Sequence, residues 1–169
     1  MLTFDMNGRT FLLSTLILFT AAGAARATGS LSVTETQYLN ASPAKVWSVV
    51  GDFATLNTWH PEVVSEKVNG AGDAPGAVRV LKLGNGGTIT ERLVSRDSAG
   101  MKYSYVMLSS PLPVSHYEST IKVVARGHGG CMFIWSSSFD PRGVTKTQAM
   151  KAISDVYAAG TEALAKRFH

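Results

Sequence analysis

Six short runs follow one another between residues 62 and 139: EVVSEKV, AVRVLKL, GTITERLVS, MKYSYVML, HYESTIKVV and CMFIWSSSF. Each is rich in β-formers, and each is cut off by turn chemistry: GAGDAPG, GNGG, DSAG, SSPLPV and RGHGG. Connections this short join antiparallel neighbours, because a parallel crossover needs a dozen residues or more. The pattern therefore predicts an antiparallel meander.

The flanks complete the order. LSVTETQYL (31–39) alternates like a further strand. Ser42-Pro43 then predicts a helix, with Ser as N-cap, Pro in the first turn, Val46, Trp47, Val49 and Val50 on the buried side, and Gly51 at its end. A short helix or turn is expected over 53–58. From Thr145 the chain reads as one long helix. Thr145 and Gln148 form a capping box, and Ala149, Ile153, Val156, Tyr157, Gly160, Leu164 and Phe168 make an apolar stripe. The expected class is α+β, a helix-grip fold: a curved seven-stranded antiparallel sheet around a long C-terminal helix, with two short helices after the first strand. Such a sheet twists and curls, and only the last helix is long enough to cover its concave side. A single helix leaves space at one end, which is where ligands sit.

Alternation assigns the lining of that space. Ile89, Glu91 and Leu93 share one face, as do Tyr103, Tyr105 and Met107 with Met101, then Tyr117 with Ser119, Ile121 and Val123, and Phe133, Trp135, Ser137 and Phe139. Tyr157 faces the same space from the terminal helix. Glu91 stands between two apolar residues, and a buried carboxylate needs Arg79, the tyrosine hydroxyls or water as partner, or a raised pKa. A bulge shifting the alternation would instead send Glu91 to the outer surface. The candidate ligand-binding set is Trp59, His60, Arg79, Glu91, Tyr103, Tyr105, Tyr117, Trp135, Phe139 and Tyr157. Glu91 is also the candidate catalytic acid or base. No nucleophile–base pair is legible, and His60, held extended by Pro61, has the simpler reading of a loop tie.

Other classes are disfavoured. There is no CxxC, no HExxH and no His pair at metal spacing, so neither a metal site nor a cofactor is expected. Cys131 has no partner for a disulfide and reads as a small buried residue. Residues 1–27 carry Arg9, the apolar run TFLLSTLILFTAAGA and an Ala25-Arg26-Ala27 cleavage pattern. They read as a bacterial secretory signal, too short for a span. Cleavage would leave residues 28–169 as one periplasmic domain without a membrane span. It would remove Arg9, Arg26 and Asp5, taking the net charge from +4 to +3. The charges are scattered, with no basic and aromatic cluster, so nucleic acid is not expected as a partner.

Taken in order, ASPAKVW (41–47), GDF (51–53), WHP (59–61), PGAVR (75–79), ERL (91–93), YSY (103–105), PLPVSHY (111–117) and AAGTEAL (158–164) carry a resemblance. From Leu31 to Phe168 the chain resembles the START-like superfamily, also labelled polyketide cyclase or SRPBCC, which includes Bet v 1 and the plant abscisic-acid receptors. The resemblance implies a helix-grip domain with an internal cavity for a hydrophobic small molecule or lipid. It implies ligand or water contacts for Glu91 and Tyr117, and a gate and latch at Leu83–Gly87 and Ser115–Tyr117. Trp59 stands where the receptors place a carboxylate-binding lysine, so an acidic ligand is not implied. With the export signal, WHP and YSY resemble the MxaD-type branch, implying a non-catalytic accessory to methanol dehydrogenase and its cytochrome c. A general small-molecule or lipid binder and a cyclase or dehydratase using Glu91 are the alternatives.

Overall fold

The computed structural model describes residues 29–169. The expected signal peptide, 1–27, lies outside the described residues. Among those described, no helix is long and apolar enough to cross a membrane.

The strands are β1 (Leu31–Leu39), β2 (Val63–Asn69), β3 (Val78–Leu83), β4 (Thr88–Asp97), β5 (Lys102–Ser109), β6 (Val114–Ala125) and β7 (Cys131–Pro141). Helix α1 (Pro43–Val50) and a 3-10 turn (Leu56–Thr58) follow β1, and helix α2 (Lys146–Arg167) ends the chain. All seven strands form one antiparallel sheet in the order β1-β7-β6-β5-β4-β3-β2. The meander from β2 to β7 thus closes on β1, and α2 packs across β1 and β7. This is the expected helix-grip arrangement.

Local chemistry sets the helix ends. The Ser42 side chain accepts from Lys45 N, with Pro43 in the first turn. Thr145 and Gln148 close a reciprocal capping box, and Lys166 and Arg167 oppose the negative end of the α2 dipole. Val46 and Val50 are buried, whereas Trp47 and Val49 only lean on the core. The buried face of α2 is Ala149, Ile153, Tyr157, Gly160, Thr161 and Leu164. Phe168 is buried just past the helix end, and its carbonyl accepts from Asn40 N at 2.9 Å. Cys131 is buried and unpaired.

The register shifts decide which side chains face inward. In β2, Val63 pairs with Leu83 and Ser65 with Lys82, so Val64 is an extra residue and is expelled to solvent, 63% exposed. That step turns Glu66 toward the core. In β5 the extra residue is Leu108, because Thr90 opposes Ser109 while Glu91 opposes Met107. The next irregularity falls in β4 beyond Leu93, so Ile89, Glu91 and Leu93 keep one face and all three are buried. The alternative of an outward Glu91 is thereby excluded. A further bulge in β6 holds His116 at φ 50° and exposes it, while Tyr117 points in.

Gly160 is where α2 meets the sheet most closely. A Cβ there would stand 2.9 Å from both His60 Cδ2 and Trp135 Cζ3, and 3.2 Å from Trp59 Cζ3. These are ring atoms held on several sides, so they cannot swing away. Gly160→Ala should gain about 1 kcal/mol of helix propensity. It should lose more than that by overpacking, for a net destabilisation of roughly 1–2 kcal/mol in urea denaturation.

Candidate ligand cavity

Between α2 and the β3–β7 part of the sheet lies a hollow of about 360 Å³, within the range of small-molecule sites. Its floor is aromatic: Tyr105, Tyr117, Trp135 and Tyr157. Apolar walls come from Leu81, Ile89 and Met107 on the sheet, from Leu56 and Val63, and from Ala152, Ile153 and Val156 on α2. Glu91 and His60 supply polar groups, and exposed Glu62 marks the rim. The mouth is bordered by Leu83 and Asn85 on one side and Pro111, Leu112 and Pro113 on the other.

The rings are oriented by a directional chain of hydrogen bonds. Ser119 Oγ donates to the Ser136 carbonyl at 2.9 Å, so it can only accept from Tyr157 Oη at 2.9 Å and from Trp135 Nε1 at 3.1 Å. With its proton committed to Ser119, Tyr157 Oη accepts from Tyr117 Oη at 2.5 Å. Trp135 Nε1 also donates to Tyr105 Oη at 2.9 Å. Both lone pairs of Ser119 are then taken, and the Tyr105 proton is left over from this chain. Trp135 stacks on Tyr157 with centroids 4.2 Å apart. Burial pushes the Tyr157 phenol up to about 12 and that of Tyr117 well above its ordinary value, so both stay protonated.

Glu91 is held from behind the wall. Arg79 Nε donates to Glu91 Oε2 at 2.7 Å, and Arg79 Nη1 donates to the Phe53 carbonyl at 2.9 Å. The guanidinium lies over the Phe53 and Tyr105 rings, 4.2 and 4.9 Å from their centroids. Glu66 Oε1 stands 3.8 Å from Nη1. Burial raises the pKa of Glu91 and of Glu66, against the pull of Arg79. Glu91 Oε2 is thus occupied, while Oε1 has no hydrogen bond among the described residues.

His60 is a tie. Its Nε2 donates to the Val156 carbonyl at 2.9 Å, and its Nδ1 accepts from Glu62 N at 3.3 Å, so both nitrogens are used by a neutral ring. The remaining candidates stand back from the cavity. Trp59 packs its edge against Phe133 and Trp135, where Gly160 makes room for it. Tyr103 lies between Trp47 and Phe53 at the far end of the sheet, and Phe139 stacks behind Tyr117. Arg79 acts through Glu91. Glu66 and the Pro111–Pro113 border carry no periodic signal in residue order, since the former depends on the Val64 bulge and the latter sits in irregular chain; Leu83 and Asn85 fall within the turn that the resemblance marks as the gate.

At the mouth, Gly87 approaches the Pro111 ring, so the two bordering loops meet. In the Ser115–Tyr117 segment the β6 bulge sends His116 outward to Asp140 at 3.0 Å, while Tyr117 lines the cavity. Arg142 lashes the proline loop: Nη2 donates to the Ser110 and Leu112 carbonyls at 2.8 and 2.7 Å, and its backbone N–H to the Pro113 carbonyl at 2.9 Å. Among the described residues, no cluster of three or more His, Cys, Asp or Glu could hold a metal.

Burial lowers the His60 pKa below the ordinary 6.5. The unfolded chain therefore takes up this proton first, and the stabilisation it reflects is complete above pH 6.5 and lost as pH falls toward the lowered value. His60→Gln should cost about 1–2 kcal/mol at about pH 8. In urea titrations at stepped pH, the gap between the two proteins should narrow below pH 6.5.

The family model for polyketide cyclase / dehydrase and lipid transport matches residues 30–169. Among solved structures, the protein XoxI from Bacillus cereus is 31% identical, covering 81% of this chain and 94% of its own, with a TM-score of 0.77. A protein from Thermobifida fusca is 33% identical, covering 81% and 92%, with a TM-score of 0.73. A START superfamily protein from Mycobacterium smegmatis, 16% identical over 81% and 96%, shares the fold with a TM-score of 0.68. With its helix-grip sheet and its terminal helix closing over a hollow, the chain belongs to the polyketide cyclase / dehydrase and lipid transport family.

Proposed function

We propose that this protein binds a hydrophobic small molecule or lipid in the cavity between α2 and the sheet, without transforming it. The observation that carries the reading is the preserved hollow itself. Four aromatic rings that could collapse into it are tied to one another by the Ser119-centred chain of hydrogen bonds, so the space is built in. The hydrogen-bonding capacity left over, the Tyr105 proton and Glu91 Oε1, suits orientation of a bound molecule.

The competing reading has Glu91 as acid or base in a cyclase or dehydratase. Against it, His60 is spent on the Val156 carbonyl and the Glu62 amide, and one Glu91 oxygen is clamped by Arg79. Binding is favoured because orientation needs no second proton-transfer partner, whereas general acid–base chemistry does better with one.

Export to the periplasm rests on the pattern of residues 1–27, and an accessory role of the MxaD type rests on WHP and YSY. In that setting the bound molecule or the surface around the mouth would serve methanol dehydrogenase and cytochrome c.

Two measurements test these readings. Native mass spectrometry of protein taken from its own host should show an apolar adduct. Ala152→Trp, which fills the hollow from α2, should abolish the adduct while shifting Tm by only a few degrees, whereas an adduct that persists in this variant is bound elsewhere. For the accessory role, adding the purified protein should change electron transfer between methanol dehydrogenase and its cytochrome. No effect at any salt concentration removes that role and leaves the binding proposal standing.

A further inference from the structure

Two carboxylates converge on one guanidinium. Glu91 Oε2 takes the Nε proton of Arg79, and Glu66 Oε1 lies 3.8 Å from Nη1 without a hydrogen bond of its own. When both acids are ionised, the cluster carries one negative charge in excess. Arg79 and Glu66 lie behind the wall, so the cavity meets that excess at Glu91, which is 4% exposed and keeps Oε1 unpartnered among the described residues.

The rest of the lining points the same way. Among the described residues, no Lys or Arg lines the cavity, and the one imidazole has both nitrogens engaged. Glu62 adds a second carboxylate at the rim. Tyr105, on the strand beside Glu91, and Tyr117, Trp135 and Tyr157 present ring systems whose faces are the negative side of the quadrupole. A carboxylate or phosphate headgroup placed here would face Glu91 with no counter-charge, in a setting where unpaired charge is costly.

We propose that the cavity takes an organic cation: an apolar amine whose ammonium sits against Glu91 Oε1 and whose body fills the aromatic hollow. The inference rests on the binding function proposed above and specifies the ligand's charge. The ammonium supplies the counter-charge that the Glu66–Arg79–Glu91 cluster lacks when both acids are ionised, and the aromatic lining takes its apolar body.

Three probes of one shape and different charge test it by isothermal titration calorimetry at neutral pH: 4-phenylbutylamine, 4-phenylbutan-1-ol and 4-phenylbutanoate. The amine should bind about tenfold more tightly than the alcohol, and the carboxylate most weakly. In Glu91→Gln the amine should lose its advantage, the ratio of amine to alcohol affinity falling from about tenfold to near unity. That substitution also strips Arg79 of its closest partner. If the variant does not fold, the ranking on the unaltered protein decides alone. Ala152→Trp should abolish amine binding; amine bound undiminished by this variant sits elsewhere and overturns the proposal. An alcohol that matches the amine, or a carboxylate bound best, overturns the cation preference while leaving cavity binding intact. If none of the three binds, the cavity reading falls with it.

Discussion

A guanidinium with no exposed surface is the group in this interior that most needs its surroundings arranged, because desolvating it is tolerable only with counter-charge and hydrogen bonds in place. Arg79 obtains them at Nε and Nη1 from widely separated parts of the chain, while Nη2 has no hydrogen bond among the described residues. Glu91 comes from β4, Glu66 from β2, the Phe53 carbonyl from the segment after α1, and the ring of Tyr105 from β5. The side chain can be accommodated only when β2, β3, β4 and the post-helix segment are in register. A slip of β2 by one residue would withdraw Glu66 and leave Glu91 as the sole countercharge of this cluster. The cluster therefore acts on specificity of register as much as on stability, and it sits beside the hollow whose polar end it supplies.

The second organising element is the hydroxyl and indole chain on the other side of the cavity. Ser119 fixes the donor direction of Tyr157, which fixes that of Tyr117, and Trp135 divides its proton between Ser119 and Tyr105. A phenol moved into the void would forfeit a bond that no water in an apolar hollow replaces well. Gly160 contributes from α2 by admitting Trp59, His60 and Trp135 to one end of the helix–sheet interface. His60 and Trp135 border the cavity there, and it extends from them along the Ala152–Tyr157 part of α2.

Much of this was legible in residue order. The turn-punctuated runs, the capping box at Thr145 and the alternation of ITERL lead to the sheet, the terminal helix and an inward Glu91. The alternation argument worked for Glu91 because the neighbouring irregularities fall at Leu108 on the partner strand and beyond Leu93 on its own. Alternation has no purchase on Glu66, because one expelled residue, Val64, reverses the faces of β2. Trp59, expected among the ligand-binding residues, packs on Phe133 and Trp135 instead, since WHP leaves a 3-10 turn with no period to extrapolate, and its berth depends on the missing Cβ of Gly160 in a distant helix. Periodicity was silent at the mouth, because Pro111, Leu112 and Asn85 belong to segments with no repeating face; the resemblance alone pointed to Leu83–Gly87 there.

The two borders of the mouth differ in how firmly they are held. The Pro111–Pro113 side has two residues of fixed φ, and the carbonyls of Ser110, Leu112 and Pro113 are all bonded to Arg142, so little conformational entropy remains for it to lose or regain. The Gly84–Gly87 side holds three glycines, one of them at φ 85°, and rests on the proline ring through Gly87. The ties of the glycine turn, Leu83 N to the Gly87 carbonyl, Gly86 N to that of Leu83 and Gly87 N to Asn85 Oδ1, are mostly internal to it, so it can shift as a unit on Glu62. The proline border, fastened by Arg142 to another part of the chain, serves as the fixed jamb of an asymmetric door.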